Sequence, residues 1–311
     1  MPFLVFALCG LVGCGRTEVI NETPRVGLVL KTLDNPFFDS LRQGAEEAAT
    51  EAGLDLIVLA AEREVDVQSQ MQLIGDLIEA QVDVLLIDPI GTGEVLLSIL
   101  KANEAGIPVL ILDTRINSVS ASERGVKIET FVGSDNHQGG VVAGEFIRDQ
   151  TGGKAKVAIL EGIPGHESAD SRLKGFLAAL RGHDGMQILA SQSAGWERDQ
   201  GFSVTQDLLQ EHPDLNVVFA CNDLMALGAV EAIKAAGKSD QIIVVGFDGV
   251  EDSRLAISDG SMLASVAQLP SEIGRIGVET AVQILEGKDV PAEIPVQIEL
   301  ITRENLYRVQ W

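Results

Sequence analysis

The strongest constraint in this chain is a rhythm. From Pro24 onward, short apolar runs alternate with longer segments of helical period. The runs fall at residues 26–30, 54–59, 84–87, 109–112, 131–132, 157–160, 188–189, 217–220 and 242–247. Most are continuous rather than alternating, as in strands covered on both faces. Between them, residues 37–52, 66–80, 94–105, 138–150, 169–180, 199–210 and 224–236 read as helices. Glycine follows the last turn at Ala52-Gly53, Ala105-Gly106 and Ala236-Gly237, and Asn35-Pro36 and Asn222-Asp223 read as helix starts. Strand–helix alternation of this length predicts an α/β fold with doubly wound parallel sheets and right-handed crossovers. At 311 residues the chain exceeds one ordinary domain and suits two.

Charge narrows the partners. Lys and Arg total 23 against 46 Asp and Glu, a net charge of −23, with no basic run. A surface this acidic repels nucleic acid. Cys9, Cys14 and Cys221 form no CxxC pair, which argues against a zinc ribbon or a disulfide framework. Catalytic motifs are missing too. Gly237-Lys238-Ser239 has the tail of a phosphate-binding loop, but Ala232 stands where its first glycine belongs. There is no Gly-x-Ser-x-Gly elbow and no His-Glu-x-x-His. No enzyme, cofactor or metal is expected.

Residues 2–13 carry no charge. As a helix they rise about 18 Å, short of the ~30 Å hydrocarbon core. They fit the apolar region of an export signal spanning 1–13. Leu11-Val12-Gly13-Cys14 resembles a bacterial lipobox, which implies lipidation of Cys14 and a lipidated linker over 14–24. The expected location is extracytoplasmic or periplasmic, tethered to a membrane.

In parallel sheets ligands bind at the carboxyl ends of strands. The residues there are polar: Lys31 to Asn35, Asp88, Asp113 to Arg115, Glu161, Asn222 and Asp248. Three motifs stand among them in order: Asn35-Pro36-Phe37-Phe38, Asn222-Asp223-x-Met225-Ala226 and Gly246-Phe247-Asp248. Together with Asp88-Pro89, Asp113-Thr114 and Gln268-Leu269-Pro270, they resemble the periplasmic sugar-binding proteins of the ribose-binding type, secreted relatives of LacI-type repressor cores. The resemblance covers residues 25–311. It implies two lobes, 25–133 plus 269–294 and 134–268 plus 295–311, joined by a three-segment hinge. It implies aromatic faces on the ligand ring from Phe37, Phe38 and Trp196. It implies polar contacts from Asn35, Asp113, Asn222, Asp248 and Gln268. The two asparagines also read as plain helix caps.

Four positions depart from the ribose-type pattern. Lys31 stands for Ser, Asp88 for Asn and Thr114 for Arg; Asp170 aligns with another Arg. These four are added to the expected site, and the ligand is read as a monosaccharide, polyol or amino sugar rather than simply ribose. The expected function is the solute-binding component of an ABC importer, a monomer that hands its ligand to a permease. A receptor presenting a sugar-like signal to a chemoreceptor or sensor kinase is the alternative. A repressor would need about fifty further residues of helix-turn-helix before Arg25.

Overall fold

The computed structural model describes residues 23–91, 93–306 and 308. The expected signal, Cys14 and the linker up to residue 22 lie outside the described residues. All nine apolar runs are strands. The chain runs β1 (Arg25–Leu30), α1 (Pro36–Ala52), β2 (Asp55–Ala60), α2 (Val67–Glu79), β3 (Val84–Ile87), α3 (Leu96–Glu104), β4 (Val109–Leu112), α4 (Ser118–Glu123) and β5 (Thr130–Ser134). It continues with α5 (Asn136–Gln150), β6 (Ala155–Glu161), α6 (Glu167–Leu180), β7 (Met186–Ser193), α7 (Arg198–Glu211), β8 (Val217–Ala220), α8 (Asp223–Ala235), β9 (Ile243–Asp248) and α9 (Glu251–Asp259). The last elements are β10 (Ala264–Ala267), α10 (Pro270–Leu285), β11 (Glu293–Val296) and β12 (Glu299–Thr302).

Two sheets form, with the same internal order. The first is β11-β5-β4-β3-β1-β2 and the second β12-β10-β9-β8-β6-β7. Every pairing is parallel except β10 with β12. Burial follows strand position. β3 and β4 are buried along their whole length, whereas the edge strand β2 is only half-covered. Pro295, which cannot donate to a ladder, sits in edge strand β11.

The chain crosses between lobes three times. After β5 it leaves the first sheet for α5, which packs on α6. After β10 it returns as α10, which packs on α1. The third crossing lies later than expected. β11 stays paired with β5 as far as Val296 opposite Ser134, so the step to β12 falls at residues 297–298 rather than 294–295. The first lobe therefore keeps Pro295 and Val296.

Three helix pairs lie unusually close, and glycine permits it. Gly44 and Gly274 face each other's helices across α1 and α10, Gly140 and Gly175 across α5 and α6, and Gly201 and Gly228 across α7 and α8. A Cβ on Gly274 would stand 2.0 Å from the Leu41 carbonyl oxygen, and one on Gly140 2.1 Å from that of Arg172. Rigid backbone cannot give way as a side-chain tip can. Gly274→Ala is expected to destabilise the protein by about 1–3 kcal/mol or more. Thermal unfolding checks this as a fall of about 2–4 °C per kcal/mol.

Candidate ligand-binding site

The carboxyl ends of both sheets face one another across a cavity of about 320 Å³, part of it open to solvent. The first lobe contributes Lys31, Asn35, Phe37, Phe38, Glu64 and Asp113. The second contributes Ser168, Arg172, Trp196, Asn222, Asp248 and Gln268. Apart from Arg172, in the second turn of α6, each residue follows or ends a strand or opens the helix after it, because the chain must turn there and its side chains are free of the sheet.

Both lobes build their wall the same way. In the first, Lys31 follows β1 and reaches Asp113 at the end of β4. Its Nζ lies 2.9 Å from Asp113 Oδ2, 2.7 Å from Thr114 Oγ1 and 3.1 Å from Asp88 Oδ1. Thr114 Oγ1 donates in turn to Asp113 Oδ2 at 2.9 Å. In the second lobe, Arg172 of α6, the helix after β6, reaches Asp248 at the end of β9. Its Nη1 donates to Asp248 Oδ1 at 3.1 Å and to the Cys221 carbonyl at 2.7 Å, while Nε donates to Asn136 Oδ1 at 2.8 Å. Gln268 Nε2 donates to the same Asp248 oxygen at 2.8 Å. β1 and β4 hold the places in their sheet that β6 and β9 hold in theirs.

The aromatic walls are fixed as firmly. Phe37 and Phe38 pack edge to face, with ring centroids 5.2 Å apart. Trp196 lies so close over Gly162 that a Cβ there would fall 2.2 Å from its ring. Asp113, Trp196 and Asp248 all have left-handed backbone, at φ 56°, 71° and 111°. Non-glycine residues rarely adopt it, and such strain collects where a side chain must be aimed.

Comparisons with known proteins point to a family for this fold. A family model described as the periplasmic binding protein domain matches residues 26–289. The chain belongs to this family. It is 41% identical over 279 residues, 90% of each chain, to the ribose import binding protein of Escherichia coli K12. It is 33% identical over 293 residues, 94% of each chain, to the D-allose-binding periplasmic protein of the same organism. Among solved structures, an ABC transporter periplasmic solute binding protein from Actinobacillus succinogenes with bound D-allose superposes with a TM-score of 0.89. It is 35% identical, and the match covers 92% of this chain and 100% of that one. A solute binding protein from Bacillus halodurans with bound myo-inositol gives 0.84 at 27% identity, covering 92% and 96%. Like the relatives it matches, the chain is a binding protein and not an enzyme.

The cavity of this periplasmic binding protein brings together most of the residues read from its sequence. Lys31, Asn35, Phe37, Phe38, Asp113, Trp196, Asn222, Asp248 and Gln268 all line it. Phe37 and Phe38 are core residues as well. Asn35 and Asn222 are also helix caps: Asn35 Oδ1 accepts from the Phe37 amide and Asn222 Oδ1 from the Met225 amide. Asp88 and Thr114 stand behind Lys31, outside the lining.

Asp170 is a correction. It is half-buried and outside the cavity lining, accepting from the Gly165 amide at 3.4 Å. The cleft cation on α6 is Arg172, two residues on. Two residues rotate a helix by about 200°, so Asp170 and Arg172 point to opposite sides. Ser168 and Arg172, four apart, share the inward face. Sequence reasoning also missed Glu64, which receives Asn35 Nδ2 at 3.0 Å. It follows β2, so the strand-end rule reaches it.

Burial sets the electrostatics. It would strip Lys31 of its proton, but Asp113, Asp88 and Glu64 outweigh it and hold the ammonium above its ordinary range. Burial also disfavours the Asp113 carboxylate, yet Lys31 keeps that group below the usual value. Asp88, wholly enclosed, is pushed well up by burial. Burial lifts Asp248 to about 6, against the pull of Arg172 and Gln268. The folded protein therefore keeps this proton to higher pH than the unfolded chain does. The contribution of Asp248 to stability falls as pH rises from about 4 to 6. Its capacity as an acceptor moves the other way. Titration of the Asp248 carboxyl by NMR is expected to centre near pH 6, and ligand affinity to rise from pH 5 to 7.

Proposed function

We propose that this protein captures a monosaccharide, polyol or amino sugar between its lobes and delivers it to an ABC permease. One observation carries the reading. Asp113 Oδ1 and Gln268 Oε1 are buried acceptors with no hydrogen-bond partner among the described residues. Both belong to residues that line a cavity walled by Phe37 and Phe38 on one side and Trp196 on the other. Each unmet buried acceptor costs about 1–3 kcal/mol. A sugar answers both needs, with vicinal hydroxyls that donate and C–H faces that pack on aromatic rings. The relatives are named for ribose and D-allose, and the solved neighbours hold D-allose and myo-inositol.

Capture works by closure. A ligand that touches both lobes binds the closed arrangement better than the open one and shifts the population toward it. The three crossings are the hinge, and the closed shape is what a permease reads. The leader would direct export, and the lipid on Cys14 would hold the protein at the membrane facing its solute.

Thermal unfolding with D-ribose, D-allose and myo-inositol is the direct test. A ligand at a hundred times its Kd adds about 2.7 kcal/mol to stability, so the midpoint rises by several degrees. No shift across a broad panel of pentoses, hexoses and polyols overturns the reading. For closure, small-angle scattering is expected to give a smaller radius of gyration with ligand than without, and an unchanged radius argues against a moving hinge.

A further inference from the structure

We infer that Asp223 is a positioning residue for the ligand site: its buried carboxylate clamps the turn that begins at Asp248 and so aims Asp248 into the cleft. Asp223 itself does not line the cavity. The consequence for affinity rests on the sugar-binding reading above; the clamp does not.

The need for a clamp follows from local structure. β9 ends at Asp248, and α9 begins at Glu251. Asp248 and Gly249 both have left-handed backbone, at φ 111° and 77°. For an aspartate this is strained, and it persists only where the surroundings over-determine it. The residue before α9 is Val250, which has no side-chain oxygen to cap the helix. The first amides of a helix need acceptors all the same.

Asp223 supplies that cap from another helix. It opens α8 and is wholly buried. Its Oδ2 accepts from the Gly249 amide at 2.7 Å, the Val250 amide at 3.0 Å and Ser253 Oγ at 2.6 Å. Ser265 Oγ donates to Oδ1 at 2.8 Å. One carboxylate thus stands at the N-terminal ends of both α8 and α9, where negative charge is favoured. The carbonyl side of the turn is pinned as well. Arg254 Nε donates to the Gly249 carbonyl at 2.8 Å, and the Gln268 amide to the Asp248 carbonyl at 2.9 Å. With the backbone held on both sides, the Asp248 side chain is directed at Arg172 and Gln268.

Two sequence motifs thereby become one device. A Cβ on Gly246 would fall 2.1 Å from Asp223 Oδ1, so the carboxylate fills the space that glycine leaves. Asn222 lines the cavity, while its neighbour Asp223 fits against Gly246 and holds the turn after Asp248. Burial, together with the Asp248 charge, pushes the Asp223 carboxyl up to about 7, and Ser253, Ser265 and the Val250 amide pull it down. Both protonation states fit, because Ser265 Oγ donates to a carboxylate and accepts from a carboxyl proton. Asparagine imitates the protonated form, with an oxygen toward the two amides and an N–H toward Ser265 Oγ.

Two measurements test this. In the first, calorimetric titration with D-ribose, D-allose and myo-inositol compares the wild type with Asp223→Ala, Asp223→Asn, Asp248→Ala and the double variant Asp223→Ala/Asp248→Ala. Asp223→Ala is expected to weaken binding at least about tenfold, and Asp223→Asn to stay within about threefold of the wild type. On the Asp248→Ala background, Asp223→Ala is expected to weaken binding by less than about twofold more, since it acts through the missing side chain. The second measurement, NMR titration of the Asp248 carboxyl, needs no sugar. Burial is the largest influence lifting that group to about 6. Release of the turn in Asp223→Ala is expected to let the midpoint fall toward the ordinary value of about 4, with Asp223→Asn unchanged. A folded Asp223→Ala with wild-type affinity or an unmoved midpoint overturns the inference, and so does a loss of affinity that adds in full to that of Asp248→Ala. If no sugar binds the wild type, the sugar reading falls and the midpoint alone decides the clamp. If Asp223→Ala fails to fold, Ser265→Ala takes its place, because Ser265 Oγ touches both Asp223 and the Gly249 amide. A loss of about threefold is then expected, and no loss overturns the inference.

Discussion

A buried charge must be answered by an opposite one, and that requirement organises both halves of this cleft. Each lobe carries one cation rooted after its first strand and one aspartate at the end of its fourth. Lys31 meets Asp113, and Arg172 meets Asp248. Removing either partner of such a pair leaves an uncompensated buried charge, at a cost of about 3–5 kcal/mol. The pairs hold the two walls in place before any ligand arrives, and a site organised in advance loses less on binding.

The frame exists to keep those pairs in register. Parallel strands deliver their carboxyl ends to one edge, so residues far apart in sequence meet there without long loops. Glycine at the helix pairs brings backbone against backbone. At Gly140 the neighbour is the carbonyl of Arg172 itself, so the approach of α5 to α6 sets where the guanidinium begins. Left-handed backbone at Asp113, Trp196 and Asp248 aims their side chains, at about 1–3 kcal/mol each. Stability is thereby conceded at the cleft and recovered in cores such as that of Leu28, Leu41, Leu86 and Leu110.

Much of this was legible in the amino-acid order. Continuous apolar runs announced β1 through β9, because strands covered on both faces have no polar side to show. α4, α9, β10, α10, β11 and β12 were not announced. Ala-Ser-Val-Ala is too weakly apolar to stand out, and Glu-Ile-Pro-Val carries a proline that argues against a strand anywhere but an edge. The family resemblance and the strand-end rule found nine of the twelve lining residues. Ser168 and Arg172 escaped for a different reason. They lie on a helix, where a displacement of two residues changes the face, and a linear reading took Asp170 for the inward position.

By itself, then, the sequence determined the parallel α/β rhythm, the strand ends that bear function and most of the polar and aromatic residues gathered there. Hydrophobic periodicity and short motifs are local, and local signals survive in one dimension. Only the tertiary structure decided that the Lys31 ammonium donates to Asp113 and Thr114 and pairs with Asp88, that Arg172 rather than Asp170 faces the cavity, and that the third crossing lies beyond Val296. Each of these depends on distances between segments dozens of residues apart, or on which side of a helix faces inward. Those follow from packing, which brings charges within 3.1 Å of each other only once the lobes have formed.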